Sequence, residues 1–255
     1  MHAYDLTTEH MSNPIGLDVQ HPRLSWKCAD GIRQTAYHIH AAESEWDLAN
    51  GKLLWNSGEI PSDESLHIEY GGDTLGTGDR VFWQVRLKDE QGRWGAWSES
   101  AFFEMGLLGA DAQKAEWINP EKEYDPDSEP PVSLLRREFP LESGFLRARL
   151  YVSALGMYKA YLNGKVVGDE VLAPGFTDME RRRQYQTYDV TKLLHAGANA
   201  AGLALADGWA RGRLGFSGKR NQFSLGIAAW AQLVVDYPER REIALITDTS
   251  WKATR

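Results

Sequence analysis

Four patterns in the chain bring together residue types that could do chemistry. HIH places His38 and His40 at i, i+2 on one face of a strand, and two imidazoles so spaced can ligate a metal. A metal site needs further ligands and none stands nearby, so a structural or surface pair is the competing reading. GWARGRLG carries glycines 208, 212 and 215 but lacks the dinucleotide-binding spacing and any Gly-Lys-Ser/Thr, which argues against a nucleotide loop. The run ERRRQ, Glu180 to Gln184, could contact anions, although a solvated loop or ion pairing with an acidic segment explains it equally. The fourth pattern is Asp178, Asp207, Trp209 and Asn221. A sugar site needs an aromatic face for the C–H surface of the ring and polar groups for its hydroxyls. Some such sites add Ca²⁺, held by oxygen ligands. For Trp209 the competing reading is a place in the core.

These residues must be positioned by strands. PRLSWKC alternates Leu24, Trp26 and Cys28, TAYHIHAA alternates as well, and DRVFWQVRLKD sets Val81, Trp83, Val85 and Leu87 on one face. Period-two patterns bounded by Gly, Pro, Asp and Asn predict half-buried strands, and several short ones in series predict a sandwich. KDEQGRWGAWSESAFFEMG reads as the closing hairpin of this half and resembles the last strands of fibronectin type III modules. The segment from Asn119 to Pro131 is acidic, rich in Pro and poor in apolar residues, so a linker is expected over 109–131.

Strands resume after it. LRARLYVSAL puts Leu146, Ala148, Leu150 and Val152 on one face, and NAAGLALADG, IAAWAQLVVDYP and REIALITD are further candidates. LNGKVVG predicts a hairpin with Asn163-Gly164 in a primed turn. VTKLLHAG predicts a short helical turn, capped by Asp189 or Thr191 and ended by Gly197. The fold expected is all-β: a fibronectin-like or immunoglobulin-like sandwich over 1–108, then a jelly-roll sandwich over 132–255.

Composition excludes several roles. The net charge is −8, which disfavours nucleic-acid and anionic-membrane binding, since both need a basic surface. No apolar run is long enough to span a bilayer and the N-terminus lacks the pattern of a signal peptide. Cys28 is the single cysteine, so no intrachain disulfide forms, and a cytoplasmic location is the expectation. Ten Trp, ten Tyr and eight Phe are plentiful; core packing is their ordinary use, and stacking on a flat ligand such as a sugar ring is the sharper one.

Four longer segments carry a resemblance: NPIGLDVQHPRLSW, VSALGMYKAYLNGKVVGDEVLAPGFTD, YQTYDVTKLL and LADGWARGRLG. Together they are similar to the N-terminal region of bacterial α-L-rhamnosidases, over nearly the whole chain. The resemblance implies a fibronectin-like sandwich followed by a galactose-binding-like one, which some members use to bind rhamnose with calcium in the site. It places Asp178 and the ADGW segment in the binding loops, making Asp178, Asp207, Trp209 and Asn221 the implied carbohydrate contacts, with Asp178 and Asp207 as ligands if calcium is bound. Met179 follows Asp178 and is a poor ligand for a hard cation. The resemblance assigns hydrolysis to an (α/α)6 barrel further along, and no catalytic carboxylate carries over to this chain. It also implies that the final strands of the second sandwich lie past residue 255. The expected role is carbohydrate recognition, of L-rhamnose or rhamnosides, together with support of the barrel. The alternative is a purely structural or interaction module.

Overall fold

The structure is a computed structural model that describes residues 1–120, 131–179, 181–224 and 226–254. The chain divides into two compact units, Met1–Ala112 and Gln113–Arg255.

The first unit holds β1 (His2–Thr8), β2 (Ile15–Leu17), β3 (Arg23–Ala29), β4 (Ala36–Ala42), β5 (Trp55–Asn56), β6 (Ile68–Glu69), β7 (Arg80–Lys88) and β8 (Ala101–Met105). One sheet runs β1-β3-β6 and the other β2-β8-β7-β4-β5. The alternation in β7 is obeyed fully: Val81, Trp83, Val85 and Leu87 are all buried. They meet Leu24, Trp26, Ile39 and Phe103 in one core. Trp26 can be buried because its indole N–H donates to Gln34 Oε1 at 3.1 Å. Cys28 departs from expectation. It shares the inward face with Leu24 and Trp26, paired with Ala3, but stands at the rim of the sheet and is exposed. The one α-helix of this unit, α1 (Glu45–Ala49), is capped by Ser44, which accepts from the Asp47 N–H.

The second unit holds β9 (Ser133–Leu141), β10 (Arg147–Leu155), β11 (Met157–Leu162), β12 (Lys165–Val166), β13 (Gln186–Asp189), β14 (Gly197–Ala206), α2 (Gly208–Arg211), β15 (Ala228–Asp236), β16 (Arg241–Ile246) and β17 (Lys252–Thr254). Its sheets run β13-β10-β15-β16 and β12-β11-β14-β9-β17, all antiparallel. Leu135, Leu162, Leu203 and Leu205 from one sheet pack against Leu150, Val152, Leu233 and Val235 from the other.

Here the sequence reading needs three corrections. Leu146 precedes β10 and is exposed, whereas Ala148 through Ala154 are buried without alternation. The outer face of β10 is covered by β13 and the segment leading into it: Ser153 Oγ donates to Gln184 O at 2.8 Å, the Tyr151 ring meets Tyr185 edge-on, and Arg149 pairs with Asp189 at 3.0 Å. The neighbouring β15 is covered too: Glu116 N–H donates to Thr247 O at 2.8 Å, Trp230 Nε1 to Ala115 O at 2.9 Å, and Lys114 N–H to Gln232 Oε1 at 2.8 Å. The stretch expected to open the linker is thus hydrogen-bonded to β15 and its surroundings, while residues 121–130 of that linker lie outside the described residues. Finally, Gly197 begins β14 rather than ending a helical turn. Asp189 does serve the turn at Thr191–Leu193, accepting from the Thr191 N–H at 3.0 Å.

The Asn-Gly turn forms as expected. Asn163 and Gly164 have φ of 51° and 80°, the left-handed pair that a type I′ turn requires. Asn163 does more than permit that backbone. Its amide donates to Leu193 O at 2.9 Å and its Oδ1 accepts from the Ala200 N–H at 2.9 Å, which ties the turn to β14.

Candidate functional site

The loops over 168–185 and 207–226 meet at one edge of the second sandwich. Their junction starts where β14 ends. Gly208, with φ of 46°, allows a sharp entry into α2, and a Cβ there would collide with the Met157 backbone at 2.7 Å. Asp207 precedes it. Its Oδ1 accepts from Arg211 Nε at 2.6 Å and its Oδ2 accepts from Arg220 Nη2. Arg211 is fully buried and the Arg220 side chain nearly so. One carboxylate therefore holds two guanidinium groups out of water, a pairing that is costly to break.

The return segment is pinned to the same helix. Asn221 N–H donates to Arg211 O at 3.1 Å and Phe223 N–H to Ala210 O at 3.2 Å. Trp209 is half-buried, and its Nε1 donates to Leu172 O at 2.9 Å, joining the two loops. On the facing loop the Pro174 carbonyl accepts from Gln184 Nε2 and Gln186 Nε2, at 2.6 and 2.9 Å. Phe176, 56% exposed, then stands edge-on to Trp209 and to Phe223, with centroids 5.8 and 5.5 Å away. The result is an aromatic ledge in contact with water.

Asp207, Trp209 and Asn221 are thus gathered on one framework. Asp178 stands on the other loop, where its backbone carbonyl accepts from the N–H groups of Arg181 and Arg182 and its carboxylate lies 3.7 Å from Arg181 Nε. The donor set does not suit Ca²⁺. Both oxygens of Asp207 serve arginines, Met179 points inward and is buried, and no group of three or more His, Cys, Asp or Glu among the described residues could hold a metal. Of the ERRRQ run, Glu180 lies outside the described residues, and Arg183 covers the Trp117 ring at 5.8 Å. GWARGRLG forms α2 and the turn after it. The sequence reading missed Phe176 and Phe223 as partners of Trp209, because an edge-to-face cluster across 47 residues leaves no local periodicity.

Behind the ledge, Tyr158 and Tyr188 share a hydrogen bond at 2.9 Å, and Tyr158 also donates to Gln186 Oε1 at 2.8 Å. Burial raises the Tyr188 hydroxyl to about 12 and pushes Tyr158 upward as well, so both stay protonated and act as fixed hydrogen-bonding struts.

HIH belongs to the first unit and is not a metal site. Arg86 Nη2 donates to His38 Nδ1 at 3.0 Å, which leaves His38 Nε2–H to donate to Asn56 Oδ1 at 2.6 Å. His40 lies against Trp97, centroids 4.2 Å apart. Burial first, then the neighbouring His38 and Arg86, depress its pKa to about 4.

Two β-sandwiches in tandem, the second bearing an aromatic loop edge, define a pair of modules of the kind found in multidomain proteins. Residues 3–109 match the family model of the Rha78A-like, N-terminal immunoglobulin domain, and residues 144–255 match that of the α-L-rhamnosidase N-terminal domain. The chain is 36% identical to an α-L-rhamnosidase of Alteromonas sp. (strain LOR) and 35% identical to one of Formosa agariphila, over 97% of its own length and 28% of theirs. Its fold matches the structure of α-L-rhamnosidase from Dictyoglumus thermophilum, with a TM-score of 0.88 and 31% identity over 100% of this chain and 30% of that one. It also matches the native enzyme from Aspergillus terreus, with a TM-score of 0.89 and 30% identity over 99% of this chain and 29% of that one. Among the described residues no helix is long and apolar enough to cross a membrane.

Proposed function

We propose that this chain is the non-catalytic N-terminal region of an α-L-rhamnosidase, and that its second sandwich recognises a terminal L-rhamnose at the ledge of Phe176, Trp209 and Phe223. The observation that carries this reading is the ledge itself. Three aromatic rings stand at a loop edge in contact with water, although burying them would stabilise the fold. The apolar face of a 6-deoxy sugar suits such a surface. Asp178, two residues after Phe176 on the same loop, supplies an acceptor for hydroxyls, with Asn221 as a further polar neighbour. Asp207 acts as a positioning residue, holding α2 and the return segment in place through Arg211 and Arg220. Hydrolysis is assigned to the part of the relatives that this chain does not span, so the chain alone turns over no aryl α-L-rhamnoside.

A second reading is a docking face for a neighbouring domain. It is favoured by Val171, Leu172 and Phe216, which extend the exposed apolar surface along the same loops. Titration calorimetry with L-rhamnose decides between them. The sugar reading expects binding in the micromolar to millimolar range, about what so few ligand atoms permit, and its loss in Trp209→Ala and Phe176→Ala. Absence of heat in the folded chain, or heats in both variants equal to those of the unchanged chain, removes the ledge from sugar recognition.

A further inference from the structure

The five-stranded sheet of the second sandwich has an outward face that none of the preceding arguments uses. Pairing registers place Val166, Tyr161, Gly202, Arg136 and Lys252 in one row across β12, β11, β14, β9 and β17. The next row holds Lys159, Ala204, Leu134 and Thr254. At about 4.8 Å between strands the first row spans about 19 Å. Along β14 the outward residues are Ala200, Gly202 and Ala204, so the middle of the sheet is recessed between Tyr161 on one side and Leu134 and Arg136 on the other. The resulting trough has a volume of about 440 Å³, within the range of small-ligand sites. An ordinary β-branched residue at 202 would fit the backbone, since a Cβ there meets nothing closer than 3.7 Å. The local geometry therefore does not demand glycine.

Charge selects the occupant. Lys159, Arg136 and Lys252 face outward against one carboxylate, Glu138, which pairs with Arg136 at 2.5 Å. Lys159 and Lys252 have no ion pair among the described residues. This cationic face sits on a chain of net charge −8. We infer that the trough binds an acidic oligosaccharide: a chain of sugar rings crossing the strands, with its C–H faces on Ala200, Gly202, Ala204 and Tyr161 and its carboxylates at Arg136, Lys159 and Lys252. The choice of a glycan rests on the carbohydrate reading of this module. The site lies on a sheet face and is separate from the loop ledge. A bound peptide strand would instead pair along a sheet edge.

The probe is tetragalacturonate, with maltotetraose as its neutral counterpart, titrated into the whole chain at low and at physiological salt. The acid sugar is expected to bind at least tenfold more tightly than the neutral one, and more weakly as salt rises. Lys159→Glu with Lys252→Glu, both surface changes, should weaken tetragalacturonate at least tenfold. Gly202→Val should fill the trough and do the same. Trp209→Ala should leave it unchanged, while Gly202→Val leaves L-rhamnose binding unchanged, so failure of one site does not mimic failure of the other. Circular dichroism checks that each variant is folded, and the double lysine variant carries the test if Gly202→Val is not. No binding of tetragalacturonate, equal binding of maltotetraose, or full affinity in the lysine variant overturns the inference.

Discussion

Each sandwich displays a cluster of aromatic rings on its surface, and the two clusters are built in opposite ways. In the first, Arg86 lies 4.8 Å from the ring centroids of both Trp94 and Trp97, Lys88 approaches Trp94 at 5.5 Å, and His40 covers Trp97. Its indoles already have cations and imidazoles of their own chain as partners. In the second, Phe176 stands edge-to-face with Trp209 and with Phe223, and it remains more than half exposed. The count of aromatic residues does not distinguish a ligand surface from a structural ladder. What distinguishes them is whether the ring faces are already occupied.

The largest effect that tests this comparison lies beneath the open cluster. Asp207→Ala leaves the buried Arg211 and the nearly buried Arg220 without their shared carboxylate and should cost about 3–5 kcal/mol, read from urea unfolding. A loss under about 1 kcal/mol would show that the arginines find other partners and that Asp207 is free to meet a ligand. Next comes Trp97→Ala, which removes a half-buried indole from between Arg86 and His40. It should cost about 2–3 kcal/mol in the same measurement and leave rhamnose titrations untouched. Trp209→Ala should show the reverse emphasis, with binding lost first. If Trp97→Ala also abolishes rhamnose binding, the closed cluster is not merely structural.

The closed cluster also responds to acid. The folded-state pKa of His40 is lowered to about 4 from 6.5, and its Nε2 is buried without a hydrogen-bond partner among the described residues. A histidine depressed in this way binds fewer protons folded than unfolded. Its contribution is therefore fully present above pH 6.5 and is lost as pH falls toward 4. Allowing for partial exposure, about 1–2 kcal/mol should disappear over that window. The comparison is between the chain and His40→Phe, by thermal melting at pH 7 and 4.5. Equal loss in both would assign the acid sensitivity elsewhere.

What the sequence made legible follows from the range of the forces involved. The strands of the first unit were readable because Val81, Trp83, Val85 and Leu87 repeat at the pleat period and face one core. The Asn163-Gly164 turn was readable because only a few residues tolerate its backbone. β10 was misread at Leu146 because the strand begins only at Arg147, and its alternation is lost because Arg149, Tyr151 and Ser153 on its outer face meet Asp189, Tyr185 and Gln184, more than 30 positions away. At the candidate site, residue chemistry pointed to Asp207 and Trp209, but their roles depend on partners. Nothing near Asp207 in the sequence announces that Arg220 will reach it, and nothing near Trp209 announces Phe176.

The smallest expected effect is the one calcium would have. The resemblance to rhamnose-binding modules suggested Asp178 and Asp207 as calcium ligands. A cation of that kind needs six to eight oxygens, and here each oxygen of Asp207 already holds a guanidinium group. Met179 turns into the core beside Asp178 and offers no oxygen. Binding would thus be opposed twice, by the loss of a buried ion pair and by an incomplete ligand shell. Melting curves with millimolar Ca²⁺ and with a chelator should superimpose, and L-rhamnose affinity should be the same in both. A calcium-dependent rise in melting temperature that vanishes in Asp178→Ala would mean that the loops rearrange to free Asp207. The two clusters would then differ in mobility as well as in occupancy, because the closed one has no comparable exchange of partners to make.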